Sequence, residues 1–286
     1  MIDETAEEIA DMQTHSSSVI AVKAAESLTE LFDREFPSVG EYLRRLEQNS
    51  NALRRANRSH ASLHTTQRTI VEQVREANPE TVDAAKTETK TAIGDVIEQV
   101  ETAKRHAAEN ALPILDDAET ILTHDYSTTV LSALTRAIEQ GQEFTVYVTE
   151  ARPRFLGRKM ARRLAAMDGV DARLVVDSAS GHVLPECDRV AVGMSCLVDG
   201  ALYNRVGTYP LAVTAVDCDV PVTVLGSQAK VIGEGFSFQN DYRAASEVMR
   251  EPAEGFSIEN PAYDATPTRL LDSVVTDDGV HDPTEL

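Results

Sequence analysis

Three side chains able to hold or move a proton, His124, Asp125 and Ser127, close the stretch Ile121-Leu122-Thr123-His124-Asp125-Tyr126-Ser127. Its apolar start reads as a β-strand that stops at polar groups and turns, with Ser127 as N-cap, into the helical pattern of residues 128–140. In an open parallel sheet the ligand crevice lies beyond the carboxyl ends of the strands, so polar groups at such a turn are placed for chemistry. Two other stretches offer anion chemistry. Glu150-Ala151-Arg152-Pro153-Arg154 follows a strand and precedes Gly157 at a helix start, where arginine and backbone N–H groups suit a phosphate or carboxylate. A surface turn with solvated arginines fits that pattern equally well. Asp199-Gly200-Ala201-Leu202-Tyr203-Asn204-Arg205-Val206-Gly207-Thr208 brings two glycines, an amide, a cation and a threonine cap together. A phosphate cradle is expected there in preference to a plain hairpin, although the spacing is neither a P-loop nor a dinucleotide fingerprint. Lys230, the last lysine of the chain, follows an apolar run and can point into the same crevice. His15, His60, His64, His106, His182 and His281 show no metal-ligand spacing, and no metal or cofactor is expected.

Positioning these groups requires two kinds of chain. Residues 1–112 carry helical periodicity and almost no glycine: apolar stripes run over 19–36 until Pro37, from Ser38 through Leu43, Leu46 and Leu53, over 61–77, and from Val82 up to Pro113. These stripes read as bundle packing and carry no catalytic signature. From Ile114 the pattern changes to short β-branched runs at 144–149, 172–176, 189–192, 194–198 and 220–225, alternating with helices. That alternation predicts βαβ units and a mainly parallel sheet covered on both faces. The expected architecture is therefore α/β, with a helical bundle domain over 1–112, a Rossmann-like ligand-binding and oligomerisation domain over 113–276, and a loose acidic tail over 277–286.

Charge narrows the partners. Forty-seven acidic residues face 27 basic ones, a formal net charge of −20, which argues against direct nucleic-acid binding because phosphate backbones need a basic face. Surplus carboxylate with scarce lysine predicts a cytoplasm rich in salt, which screens the self-repulsion. No apolar run is long enough to span a membrane and the N-terminus is acidic, so a cytoplasmic location is expected. Cys187, Cys196 and Cys218 form no C-x-x-C pair and read as small buried hydrophobes.

Taken in order, Thr123-His124-Asp125-Tyr126-Ser127, Glu150-Ala151-Arg152-Pro153, Asn204-Arg205-Val206-Gly207-Thr208 and Asn260-Pro261-Ala262-Tyr263-Asp264-Ala265-Thr266-Pro267 resemble the translation initiation factor 2B alpha/beta/delta superfamily. That superfamily also contains ribose-1,5-bisphosphate isomerase and methylthioribose-1-phosphate isomerase. The resemblance implies an N-terminal helical domain, a Rossmann-like domain, and dimers or hexamers. It also implies a ligand site of His124, Asp125, Ser127, Arg152, Asn204, Arg205 and Lys230. The isomerases place a cysteine and an aspartate as acid/base couple where this chain has Asp125 and Ser195, and a lysine where it has Arg205. Their phosphate-holding Arg-Gly pair appears as His15-Ser16, and an Arg-Pro-Thr element before Asn51-Ala52-Leu53-Arg54 is missing. Isomerisation needs two well-placed groups of suitable pKa. The expectation is therefore a regulatory protein of translation initiation that binds a nucleotide or sugar phosphate and contacts GTP-binding initiation factor 2 or a paralogous subunit. The alternative is an aldose–ketose sugar-phosphate isomerase with a rebuilt site.

Overall fold

A computed structural model describes residues 2–11, 17–233, 236–251 and 254–286. The chain divides into two compact units, 1–102 and 103–286. The division falls within a helix, at Thr102/Ala103, where the sequence pattern placed it at 112/113.

The first unit is all helix: α1 (Ile2–Asp11), α2 (Ser17–Ser27), α3 (Val39–Ala56), α4 (Ala61–Glu76) and the first part of α5 (Val82–Leu115). Ser38 caps α3 by accepting from the Glu41 amide at 3.2 Å. The predicted stripes become one core, in which Ile20, Leu28, Leu46, Leu53, Leu63 and Ile70 are fully buried. Pro113 does not stop α5 as its sequence suggested. It sits in the last turn, so its missing N–H removes one bond at the end of a helix already long enough to be stable. His15 and Ser16 lie outside the described residues.

The second unit continues with β1 (Thr120–His124), α6 (Thr128–Glu139), β2 (Phe144–Thr149), α7 (Leu156–Leu164), β3 (Val170–Val175), α8 (Ser180–Val183), β4 (Arg189–Gly193), β5 (Cys196–Val198), β6 (Ala201–Arg205), α9 (Thr208–Asp217), β7 (Val222–Leu225), β8 (Tyr263–Pro267), β9 (Ser273–Thr276) and β10 (Gly279–His281). Seven strands form one sheet in the order β10-β9-β7-β4-β1-β2-β3, parallel throughout except for the β9–β10 hairpin. Alternate residues feed two cores. Leu122, Val190, Val192, Val222 and Val224 face one side; Ile121, Val146, Val148, Ala191 and Leu225 face the other. Central strands buried on both faces explain why those segments read as continuous apolar runs.

Two sequence expectations give way here. Residues 277–286 are not a loose tail: β10 pairs with β9, and Pro283 is buried. Their acidic residues punctuate turns, and Asp282 accepts from the Thr284 amide at 2.8 Å. The stretch 199–208 is not one phosphate cradle. Asp199 and Gly200 both have positive φ and turn the antiparallel hairpin β5–β6, as an Asp-Gly pair between extended runs favours.

Candidate functional site

The strand order reverses at β1, with β2 and β3 built on one side and β4 on the other. A crevice is therefore expected beyond the ends of β1 and β4. Asp125 follows β1, Ala151 to Arg154 follow β2, Met194 and Ser195 follow β4, and Lys230 follows β7. Asp125 and Ala151 hold left-handed backbone, with φ +64° and +56°. For an alanine that conformation costs about 1 kcal/mol, and such strain collects where surrounding structure fixes a functional geometry.

An open cleft of about 320 Å³ is lined by Asp125, Arg152, Arg154, Arg205, Arg243 and Asn260 among others. Four guanidinium groups and one carboxylate thus converge in a chain whose net charge is −20. Arg205 Nε lies 3.3 Å from Asp125 Oδ2, and its guanidinium sits 4.8 Å from the Tyr263 ring centre. Arg243 pairs with Glu247 at 3.0 Å. Arg152 donates to the Val248 carbonyl at 3.1 Å. Arg154 has no ion pair among the described residues; burial, then Arg243 and Arg205, hold its pKa below the usual guanidinium value. A half-buried cation pressed by two like charges is stabilised by whatever anion enters.

Backbone donors are not what that anion would meet. The Asp177 carboxylate takes the Ala151 and Arg152 amides at 2.7 and 2.8 Å. Asp264 Oδ2 takes the Gly207 and Tyr209 amides at 2.7 and 3.0 Å, so the N-terminus of α9 is already occupied by a carboxylate. Burial raises the Asp264 pKa. The phosphate-cradle expectation for 199–208 therefore fails at its helix end for a specific reason: Asp264, 57 residues on from Gly207, supplies the anion.

Of the residues marked from sequence, Asp125, Arg152 and Arg205 line the cleft; His124, Ser127, Asn204, Ser195 and Lys230 do not. His124 is engaged at both ring nitrogens, Nδ1 with Thr149 Oγ1 at 2.6 Å and Nε2 with the Val206 carbonyl at 3.0 Å. It ties β1 to β2 and to the turn before α9. Ser127 caps α6, accepting from Val130 N at 3.2 Å. Asn204 is buried and donates to Thr208 Oγ1 at 3.2 Å. Lys230 donates to the Met194 carbonyl at 2.7 Å, and burial, then Arg205, lowers its pKa to about 8. Ser195 donates its amide to the Tyr203 carbonyl at 3.2 Å. Cys196 is fully buried, with a thiol pushed up to about 12, and offers no nucleophile. Arg154, Arg243 and Asn260 were missed. Arg154 was visible in the quoted motif, whereas Arg243 reaches the cleft from a long irregular excursion whose course no periodicity reveals.

The model of the initiation factor 2 subunit family matches residues 13–283. A relative named ribose 1,5-bisphosphate isomerase, from Haloterrigena turkmenica, is 31% identical over 98% of this chain and 89% of its own length. Among solved structures, translation initiation factor eIF-2B of Pyrococcus horikoshii superposes with a TM-score of 0.80 at 24% identity, covering 99% of this chain and 98% of that one. A chain of the tetrameric eIF2B-beta2-delta2 complex from C. thermophilum gives 0.78 at 21% identity, covering 100% and 91%. At these identities the two structures speak for the fold.

Proposed function

This chain belongs to the initiation factor 2 subunit family, and from that premise we propose that its arginine-lined cleft binds a phosphorylated sugar and interconverts its aldose and ketose forms. The observation that carries the ligand class is Arg154, a half-buried cation without an ion pair among the described residues, sharing the cleft with Arg205 and Arg243, whose repulsion outweighs the pull of Glu247 and Asp125. The likeness to a ribose 1,5-bisphosphate isomerase along nearly the whole chain supports the reaction class better than a purely regulatory role.

The chemistry falls to residues of this chain. In a sugar phosphorylated at C1 the exchange carries the C2 hydrogen to C1 as the bond from C1 to the ring oxygen breaks, and the C2 hydroxyl proton ends on that ring oxygen, so it needs a base and a second group that titrates near neutrality. Among the described residues Asp125 is the one carboxylate lining the cleft, and it would carry the carbon-bound proton. Lys230 does not line the cleft and is bonded to the Met194 carbonyl, but it neighbours Arg205, which does, and its pKa of about 8 suits it to the hydroxyl proton once that bond is released. Against the isomerase pattern that the motifs resemble, the negative charge has moved from position 195 to position 125, and the adjoining cation has become an arginine. The site keeps one carboxylate but carries it on the other wall. Incubating the purified chain with ribose 1,5-bisphosphate and following the ketose by carbon NMR tests this: turnover that disappears in Asp125→Ala is expected.

Asp125 and Ser195 also support a second reading, a regulatory protein that binds the phosphorylated ligand without turnover. On this reading it would work through a homo-oligomer, initiation factor 2 or a paralogous subunit, in the cytoplasm. Ligand binding by calorimetry with no ketose formed, in wild type and Asp125→Ala alike, selects it. Failure to bind, together with unchanged behaviour of Arg154→Gln, rejects both.

A further inference from the structure

A second basic locus lies in the helical unit, and none of its residues lines the cleft. Residues 48–71 contain no aspartate or glutamate, whereas the average density of 47 acidic residues in 286 would place about four there on composition alone. The same stretch holds Arg54, Arg55, Arg58, Arg68, His60 and His64. Helices α3 and α4 run antiparallel along this seam: Glu47 pairs with Arg75 at 2.8 Å, Ser50 Oγ donates to the Gln67 carbonyl at 3.0 Å, and Arg54 Nη1 lies 3.2 Å from His64 Nε2. Arg54 also donates to Asn51 Oδ1.

Balancing charge is sparse in the seam, with Glu47 and Glu72 the carboxylates acting on Arg54. None of the ion pairs among the described residues takes Arg54, Arg55 or Arg58; Arg68 has Glu72 at 3.2 Å on its exposed side. The imidazole between them contributes none, because burial, then Arg54 and Arg68, lowers the His64 pKa to about 4. Arg54 is itself lowered, by burial and by Arg68, with Glu47 and Glu72 opposing and Arg55 adding to the repulsion. Part of this charge has a simpler use, since Arg54 and Arg55 in the last turn of α3 complement its dipole. That does not account for Gln67, which is fully buried in the same seam with both side-chain polar atoms unpartnered. A buried amide left so forfeits the hydrogen bonds it makes in water, which a ligand restores.

We propose that the α3–α4 seam is a second anion site, in which Arg54 and Arg68 hold the phosphate group of a small molecule and the polar groups of Asn51 and Gln67 complete its coordination. A small anion fits better than single-stranded nucleic acid, because residues 48–71 contain no aromatic side chain on which a base could stack. It draws on no residue that lines the cleft and does not rest on the reading of the cleft.

Pyrophosphate titrated into the full chain, with the His64 Cε1–H resonance followed by NMR, reads the site directly. The anion offsets the flanking guanidinium groups, so the His64 titration midpoint should rise from about 4 by about one pH unit at saturation. In Arg154→Gln, where the cleft is weakened, that shift should remain. In Arg68→Gln, an exposed position that leaves the packing intact, and in Arg54→Gln, pyrophosphate should bind this seam at least fivefold more weakly. A His64 resonance that pyrophosphate leaves unmoved overturns the proposal, as does a shift abolished by Arg154→Gln and untouched by Arg68→Gln. An acidic protein that moves His64 where pyrophosphate does not would likewise overturn it.

Discussion

Among the described residues Asp125 is the one acidic side chain lining the cleft, and its ion pair with Arg205 sets what an incoming phosphate must displace. Asp125→Asn removes that competition while keeping the shape. Phosphate affinity measured by calorimetry should rise by about tenfold, the order expected for removing one partly buried like charge, while ketose formation is lost. Arg154→Gln should act oppositely, weakening phosphate by about tenfold with little change in melting temperature, because the arginine has no ion pair among the described residues to lose. His64 titrates in a separate place. Its folded pKa of about 4 lies below the ordinary imidazole value of 6.5, so the unfolded chain binds the extra proton first as acid is added. The stability associated with keeping His64 neutral is therefore complete above 6.5 and is lost as the pH falls toward 4. Acid-unfolding curves should slope through that window and flatten in His64→Gln. At this scale the sequence disclosed residue identity but not partnership. His124 looked chemical until both its nitrogens proved committed to Thr149 and Val206, and nothing local could announce that Asp264 fills the helix start at Gly207.

The turns that follow β1 and β2 depend on close approach. A Cβ on Gly157 would stand 1.8 Å from the Thr149 carbonyl oxygen, a backbone atom that cannot swing away. Gly157→Ala should therefore cost at least about 2–3 kcal/mol and open the cleft wall, read as a lowered melting temperature with weakened phosphate binding. Ser127→Ala removes only the cap of α6 and should cost about 1 kcal/mol, with phosphate binding unchanged. Regular elements were legible wherever one physical signal dominated, as in α3 behind Ser38 or the doubly buried strand β4. They were misread where two signals competed: Pro113 against a long established helix, Asp199-Gly200 as hairpin turn against phosphate loop, and acidic composition against the pairing of β10. Asn260 stood in a motif already visible in the sequence without a role attached to it, whereas Arg243 was illegible because it belongs to irregular chain held by backbone bonds, such as Arg243 N to the Asn260 carbonyl at 2.9 Å.

At the scale of the whole molecule, charge is the dominant property. A net charge of −20 over 286 residues destabilises the folded chain by self-repulsion that salt screens. Melting temperature should climb by about 10 °C or more between dilute buffer and molar potassium chloride, and equal melts in the two would remove the case for a salt-adapted chain. The same salt should weaken phosphate binding in the cleft, so affinity and stability are expected to move in opposite directions. The α/β architecture could be foreseen because glycine-poor helical stripes and β-branched runs occupy separate halves of the sequence.

The strand order carries a consequence for synthesis. In a sheet ordered β10-β9-β7-β4-β1-β2-β3, the first strand to leave the ribosome lies inside, and each later one joins an edge that already exists. The sheet can therefore grow outward on both sides without threading or rearrangement, as vectorial folding favours. Asp125 emerges first among the charged groups of the cleft and Arg243 last, so the nascent chain holds its acid in place before the cations gather around it.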